Sequence, residues 1–242
     1  MQCTGSFKAR GAFNTLLSSD VPETGLVAAS GGNHGAAVAY AAKKLGHKAK
    51  IFVPEFAGPA KIGLIKRSGA DLSVVTGEYA NAFQDAQAYE TEKGAMQVHA
   101  FDAISTVAGQ GTLTREWEEQ GLKADTILIA VGGGGLIAGA MAWLGKTRKI
   151  LAVEPEKAPT MFTALAQGGP QDVEVGGIAA NALGARKVGQ ICYDLAIETG
   201  TECVTVTDEA IRTAQVALWQ ECRQLVEPAG ATALAALMSG AY

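Results

Sequence analysis

Residues 126–136, with the sequence TILIAVGGGGL, decide the fold because the most apolar run of the chain passes directly into four glycines. An apolar run of this kind is typical of a strand buried on both faces of a parallel sheet. Four consecutive glycines cost backbone entropy, which indicates that the bare amides of Gly132, Gly133, Gly134 and Gly135 approach a ligand. We predict a phosphate there, with a helix beginning at about Leu136. A flexible hinge is the alternative interpretation.

The same segment argues against a nucleotide. It has no Lys-Ser/Thr pair after the glycines, and it lacks the G-x-G-x-x-G spacing that precedes an acidic residue in dinucleotide-binding domains. A small phosphorylated cofactor therefore suits the loop better than a nucleotide does.

On both sides of this segment, short apolar runs alternate with longer helical patterns. Strands separated by helices of this length pair in parallel through right-handed crossovers. We therefore predict an α/β fold with two lobes of open parallel sheet and flanking helices, in which residues 25–100 form the small lobe and residues 1–24 and 101–242 the large one. The predicted strands are 26–29, 49–53, 72–75, 97–99, 126–131, 150–153 and 203–206, and the predicted helices are 33–45, 59–68, 79–93, 104–120, one from about 136, 188–199, 208–224 and 229–239.

A second glycine-rich turn, ASGGNHG at residues 29–35, also lies between a predicted strand and a predicted helix. Exposed amides and the helix dipole favour an anion at such a point. Ser30, Asn33 and His34 add side-chain hydrogen bonds, although a plain strand-to-helix turn remains the alternative. A third segment, TGSFKARGA at residues 4–12, carries two cations and taken alone indicates a solvated basic turn.

Composition excludes several classes of protein. The 242 residues are 48% hydrophobic and 18% charged, which is too apolar for a disordered chain. The net charge of −4, without a basic patch interleaved with aromatic residues, argues against a nucleic-acid partner, and interrupted apolar runs argue against a membrane span. Four cysteines without metal-binding spacing, and no signal-peptide pattern, predict a reduced cytoplasmic protein.

Taken together and in this order, the segments resemble the fold-type II pyridoxal-phosphate enzymes, specifically the threonine/serine dehydratase (threonine ammonia-lyase) and serine racemase group. The resemblance extends over nearly the whole chain. It implies a tryptophan synthase β-like fold, pyridoxal 5'-phosphate as cofactor, a small amino-acid substrate and a homodimer. The matching residues are Gln2 with 4–12, then 30–35, AGQGT at 108–112, 132–136 and EPAG at 227–230.

The resemblance also implies roles for individual residues. Lys8 binds the cofactor aldehyde covalently and is the catalytic residue, with Phe7 against the cofactor ring. Asn33 bonds the phenolic oxygen of that ring, and the backbone amides of residues 132–136, from Gly132 to Leu136, hold the phosphate. The loop with Ser30, Gly31, Asn33 and His34 holds the substrate carboxylate. Lysine suits covalent catalysis because burial and nearby cations lower its pKa and free the neutral amine.

The chain departs from the family pattern at three places. Gly31 stands where the racemases have a serine that acts as the second base, so the sequence favours elimination over racemisation. Glu154 and Ala158 match two ligands of a Mg or Ca site, but Thr160 stands at the place of a second acidic ligand, which weakens that site. Family members also begin before the lysine motif and continue into a strand that contacts the pyridine nitrogen, so the chain is expected to be truncated at both ends.

These observations predict β-elimination of L-threonine or L-serine to a 2-oxo acid and ammonia. Two alternatives remain open at this point: an amino-acid racemase of the same fold, and a truncated remnant that binds the cofactor without turnover. Threonine, serine and hydroxyaspartate are not distinguished, because one methyl group in a pocket changes binding by only about 1–3 kcal/mol.

Overall fold

A computed structural model describes residues 2–55, 57–77 and 79–242 of the chain. The chain divides into two compact units, Met1–Gln110 and Gly111–Tyr242. The lobes predicted from the sequence divide the chain differently, because they place residues 1–24 with 101–242 rather than with 25–100. That division stays a prediction.

The first unit, in its described residues, contains a four-stranded parallel sheet in the order β3-β2-β1-β4. Strand β1 is buried along its whole length, and its residues alternate between two faces. Leu26 and Ala28 join a core built with α1 and α2, whereas Val27 and Ala29 join a second core built with α4. The elements are α1 (Lys8–Leu17), β1 (Leu26–Ala29), α2 (Asn33–Leu45), β2 (Ala49–Pro54), α3 (Pro59–Arg67), β3 (Asp71–Val75), α4 (Tyr79–Lys93), β4 (Met96–Gln97) and the first part of α5 (Ile104–Glu119).

The second unit, which is described throughout, contains a three-stranded parallel sheet in the order β5-β6-β7. Its central strand contributes Leu151 and Val153 to a core that also contains Val206 and alanines of the last helix. The elements after α5 are β5 (Thr126–Ala130), α6 (Gly135–Leu144), β6 (Lys149–Pro155), α7 (Thr160–Gln167), α8 (Ala180–Leu183), α9 (Gln190–Thr199), β7 (Glu202–Val206), α10 (Asp208–Cys222) and α11 (Pro228–Ser239).

The predicted α/β fold of parallel sheets with flanking helices is confirmed. The predicted bounds of β1, α2 and α4 agree with the structure, and the other predicted elements differ by a few residues at their ends. Among the described helices, α1, α7 and α8 were not predicted. The segment around Lys8, interpreted above as a basic turn, is the start of a ten-residue helix.

The structure contains no candidate for a membrane-spanning helix within residues 2–55, 57–77 and 79–242, since each helix there is too short or too polar.

Candidate active site

Lys8 is held by the packing of the helix that it begins. Helix α1 lies against α5, and the contact is so close that a Cβ at Gly109 would stand 2.6 Å from the Arg10 carbonyl oxygen and 2.7 Å from the Cα of Gly11. A Cβ at Gly11 would overlap the carboxamide of Gln110. These glycines of the segments 4–12 and 108–112 thus let two helix backbones touch, which fixes the first turn of α1.

The Lys8 amine is partly buried and already held by one acceptor. Its Nζ donates to the Ala100 carbonyl oxygen at 2.7 Å, and it stands 5.2 Å from the centre of the Phe7 ring. Desolvation lowers the pKa of Lys8 from the ordinary value of 10.5 to about 8. A larger share of this amine is therefore neutral at neutral pH than in an exposed lysine, as covalent catalysis by lysine requires.

The turn at residues 29–35 is an ordered loop at the start of α2. The Gly32 amide donates to the Ser30 hydroxyl at 3.2 Å, and the Ser30 amide donates to the Phe52 carbonyl of β2 at 2.9 Å. Gly32 is the N-cap residue of α2, which begins at Asn33, and it provides no side-chain acceptor for the first amides of the helix. A helix start of this kind favours an anionic group.

His34 is buried beside this loop and is neutral. Its Nε2 lies 2.8 Å from the Val98 carbonyl oxygen, which only accepts, so Nε2 carries the proton. Burial, with a smaller contribution from the Lys8 charge, lowers the pKa of His34 to about 3. The ring therefore adds no charge to the loop at neutral pH.

His99 is a site residue that the sequence analysis missed. Its Nδ1 accepts from the amides of Phe101 at 3.3 Å and Asp102 at 2.8 Å, so the proton of the neutral ring is on Nε2. Burial lowers the pKa of His99. Together with His34, it lines a small pocket. Its position just after β4, at the carboxyl end of a parallel strand, was the available signal.

The segment 98–100 therefore ties the predicted amine to the predicted carboxylate site. His34 donates a hydrogen bond to the Val98 carbonyl, and Lys8 donates one to the Ala100 carbonyl. His99 is the residue between Val98 and Ala100 in the chain. Of the predicted residues in the first unit, the structure brings Lys8 and His34 together around this segment.

The tetraglycine loop lies in the second unit, between β5 and α6. Gly134 has a φ of 87°, in the left-handed region, and a Cβ there would overlap the Cys192 side chain. A Cβ at Gly132 would stand 2.7 Å from the Leu183 Cα. Gly133 and Leu136 are partly exposed, whereas the other glycines of the loop are buried.

The loop ends at the amino end of α6. Gly134 is the N-cap residue of α6 and offers no side-chain acceptor to the first amides of that helix. Backbone packed this tightly, with bare amides at a helix start, suits an anion such as a phosphate. The prediction that this loop completes one site with Lys8 stays a prediction.

Glu154 lies at the end of β6 and is completely buried. Its carboxylate accepts from the amides of Met161 and Phe162 at 2.9 Å each, and the Thr160 hydroxyl lies 2.8 Å from Oε1. The Cys203 thiol lies 3.5 Å from Oε2. Burial raises the pKa of Glu154 despite these donors.

This donor set does not fit the predicted Mg or Ca site. Both oxygens of Glu154 face protein donors, and the Ala158 carbonyl accepts from the Thr160 amide at 3.1 Å. A hard cation needs several oxygens that are not already used. Across the described parts of the chain, no group of three or more His, Cys, Asp or Glu side chains is arranged to hold a metal ion.

The chain is similar to known proteins over nearly its whole length. Residues 1–241 match the family model described as pyridoxal-phosphate dependent enzyme. The chain is 38% identical to the phenylserine dehydratase of Ralstonia pickettii, over 99% of this chain and 75% of that protein. It is 34% identical to the L-threonine ammonia-lyase of Thermotoga maritima, over 99% of this chain but only 61% of that protein.

Solved structures give the same result. Maize serine racemase superposes with a TM-score of 0.92 at 32% identity, over 97% of this chain and 72% of that one. The serine racemase of Dictyostelium discoideum superposes with a TM-score of 0.89 at 33% identity, over 98% of this chain and 78% of that one. A T.th. threonine deaminase superposes with a TM-score of 0.90 at 35% identity, over 99% of this chain and 79% of that one. The fold therefore matches that of these enzymes throughout the length compared.

Proposed function

Because the chain belongs to the family of pyridoxal-phosphate-dependent enzymes, we propose that it catalyses β-elimination of L-threonine or L-serine to a 2-oxo acid and ammonia. The observation that carries the proposal is the Lys8 amine, which has a pKa of about 8 and is tied through residues 98–100 to the loop at 29–35.

The residues present fit the cofactor. The loop of Gly132, Gly133, Gly134, Gly135 and Leu136 would hold the phosphate through backbone amides, since α6 begins there and its N-cap residue, Gly134, offers no side-chain acceptor to the first amides. Lys8 would bind the aldehyde, with Phe7 against the ring and Asn33 at the phenolic oxygen, as the resemblance implies. In this proposal the phosphate group would meet backbone donors, and the aldehyde would meet an amine of lowered pKa.

The substrate carboxylate would bind at the start of α2. The side chains of Ser30 and Asn33 and the backbone amides of the first helical turn, that of His34 included, would supply the donors, and Gly31 would let the backbone approach. The His34 ring would not donate, because its one N–H is used by the Val98 carbonyl. Because His34 is neutral, binding there depends on hydrogen bonds and the helix dipole rather than on an imidazolium charge.

Lys8 would be the residue that moves protons. Pyridoxal phosphate, when bound, would supply the electron sink that makes the proton on the substrate Cα acidic. With the substrate amine in its place at the aldehyde, the freed Lys8 amine would accept the Cα proton and return it to the β-hydroxyl, which would leave as water. A second water would then add to the unsaturated product and release ammonia and the 2-oxo acid, so that one water is lost and one is added.

Gly31 supports elimination over racemisation. A Cβ at this position would stand 2.6 Å from the Ala57 Cβ and 3.4 Å from Pro54 and Val53. The loop therefore leaves no space for a serine side chain that could act as a second base. This observation argues against the racemase alternative, although serine racemases are among the relatives.

The names of the relatives support the proposed substrate class. Proteins named phenylserine dehydratase and L-threonine ammonia-lyase have β-hydroxy amino acids in common, and the same class is proposed for this chain. The proposal includes a cytoplasmic homodimer without nucleic-acid or membrane partners. The four cysteines, all without a disulfide, are consistent with a reducing compartment.

Product analysis tests the proposal. Purified protein loaded with pyridoxal phosphate is incubated with L-threonine or L-serine, and 2-oxo acid, ammonia and D-amino acid are measured, the last by chiral chromatography. We expect equal amounts of 2-oxo acid and ammonia, little D-amino acid, and no turnover by Lys8→Ala. Lys44→Ala, which removes an exposed lysine of α2, is the matched control.

Two results would contradict the proposal. D-serine that accumulates faster than pyruvate would support the racemase alternative. Bound cofactor without either product would support the non-catalytic remnant.

A further inference from the structure

The carbonyl group of Gly132 has a buried partner outside its own loop. The Thr160 hydroxyl lies 2.8 Å from the Gly132 oxygen, and it also lies 2.8 Å from Oε1 of Glu154. Thr160 and Glu154 are both completely buried. We name this arrangement the Glu154–Thr160–Gly132 bridge. It joins the end of β6, the first residue of α7 and the tetraglycine loop.

The bridge restrains the loop through the buried carbonyl group of Gly132, which needs a hydrogen-bond donor. A buried carbonyl without a partner is costly, so the hydroxyl fixes the orientation of the first peptide of the loop. The Thr160 hydroxyl has one proton, which the Gly132 oxygen and Oε1 of Glu154 share. Glu154 also accepts the Met161 and Phe162 amides, which fixes it at the start of α7. Displacement of the loop would therefore break the buried hydrogen bond to Gly132 and leave its carbonyl without that donor.

The bridge also occupies the place at which the sequence predicted a divalent cation. The carboxylate and the Ala158 carbonyl are used by protein donors, and Thr160 offers a neutral hydroxyl where a second carboxylate was needed. From this geometry we infer that Thr160 is a positioning residue that orders the phosphate-binding loop, and that the bridge replaces a bound cation in this chain. The inference rests on the proposed function, because it assumes that the loop holds the cofactor phosphate.

A titration with pyridoxal phosphate, followed by absorbance, tests the positioning role. Thr160→Val keeps the side-chain shape but removes the hydroxyl, and we expect its Kd for the cofactor to rise by about tenfold. Thr160→Ser retains the hydroxyl and should bind nearly as the unmodified chain does. Thr163→Val, in the same helix but outside the bridge, is the matched control. Equal affinity of Thr160→Val and the unmodified chain would overturn the positioning role.

Thermal unfolding tests the second part of the inference. The midpoint of the unmodified chain should be the same in millimolar MgCl₂, in millimolar CaCl₂ and in EDTA. A cation-dependent rise in the midpoint that Glu154→Gln abolishes would overturn the replacement of the cation. If circular dichroism shows that Thr160→Val does not fold, Glu154→Gln replaces it in the cofactor titration. We expect Glu154→Gln to bind the cofactor more weakly than the unmodified chain. Unchanged affinity would contradict the bridge.

These outcomes are distinguishable from failure of the proposed function. An unmodified chain that binds no pyridoxal phosphate would contradict the proposed function and the positioning role together. The cation measurements use the unfolding midpoint, so they would still decide whether the bridge replaces a metal.

Discussion

The proposed chemistry depends on the surroundings of one amine in the first unit, that of Lys8. Lys8 donates to the Ala100 carbonyl rather than to a carboxylate, so no negative charge offsets its desolvation in that contact. The result is a pKa of about 8 instead of 10.5. A pKa near the working pH is the condition under which a lysine serves both as nucleophile and as base.

The lowered pKa predicts selective labelling of Lys8 in the cofactor-free protein. At pH 7 roughly a tenth of the Lys8 amines are neutral, against fewer than roughly one in a thousand for an ordinary lysine. Because only the neutral amine reacts, the rate of labelling by trinitrobenzenesulfonate should rise through pH 8 at Lys8. Peptide mapping by mass spectrometry measures this rate at each pH. A Lys8 rate that rises only near the ordinary lysine value of 10.5 would contradict the lowered pKa.

The space beside Gly31 gives a second prediction at the residue scale. A serine at this position meets the Ala57 Cβ, so Gly31→Ser should lower the thermal midpoint, and the added change Ala57→Gly should restore it. The double variant should also form more D-amino acid than Ala57→Gly alone, because it regains a possible second base. Thermal unfolding and chiral chromatography report the two effects. If Gly31→Ser is as stable as the unmodified chain, the steric argument against racemisation fails.

At the scale of elements, strand-to-helix junctions carry the proposed binding sites. The start of α2 and the start of α6 both follow a parallel strand, and glycine is the N-cap residue in each. Neither cap supplies a side-chain acceptor. The helix amides therefore suit an anion, which we propose to be the substrate carboxylate at α2 and the cofactor phosphate at α6.

Gly133 tests the junction before α6. It is partly exposed, so an added side chain acts on the ligand more than on the packing. Gly133→Asp should weaken binding of pyridoxal phosphate by at least about tenfold, since a carboxylate repels the phosphate, whereas Gly133→Ala should weaken it less. A cofactor titration followed by absorbance measures both. Unchanged affinity of Gly133→Asp would indicate that the loop is only a hinge.

A substitution in the contact between α1 and α5 tests whether the close packing that fixes the first turn of α1 stabilises the protein. Gly109→Ala places a Cβ against the Arg10 carbonyl, so it should destabilise the protein by about 1–3 kcal/mol. Gly63→Ala is the matched control, because its Cβ meets only the flexible end of Arg67 and helix propensity favours alanine. Urea unfolding of both variants measures the difference. Equal stability of the two variants would show that α1 and α5 do not need close contact.

At the scale of the whole molecule, the sequence predicted most strands because buried parallel strands are continuous apolar runs. Helix α1 was missed because its pattern, KARGAFNTLL, has a glycine and two cations in its first turn, and its stability comes from packing on α2 and α5. Helix α7 was missed although Pro159 and Gly168 at its ends were available signals.

The candidate site was predicted unevenly for similar reasons. Glycine-rich junctions are visible in a sequence because their function depends on backbone. His99 has no such pattern, since its importance comes from the folding of residues 98–102 around Lys8. The Glu154–Thr160–Gly132 bridge joins residues of three separate segments, so no local sequence pattern predicts it. The role of the Thr160 hydroxyl can be inferred only from its hydrogen bonds in the structure.

The central claim is that Lys8 is the amine through which this chain uses pyridoxal phosphate, and borohydride trapping tests it most directly. The loaded protein is reduced, digested and mapped by mass spectrometry, with Lys8→Ala treated in parallel. We expect that the peptide containing Lys8 gains the mass of the reduced cofactor and that the variant gains none at any site. Cofactor attached to another lysine, or an equal gain in Lys8→Ala, would contradict it.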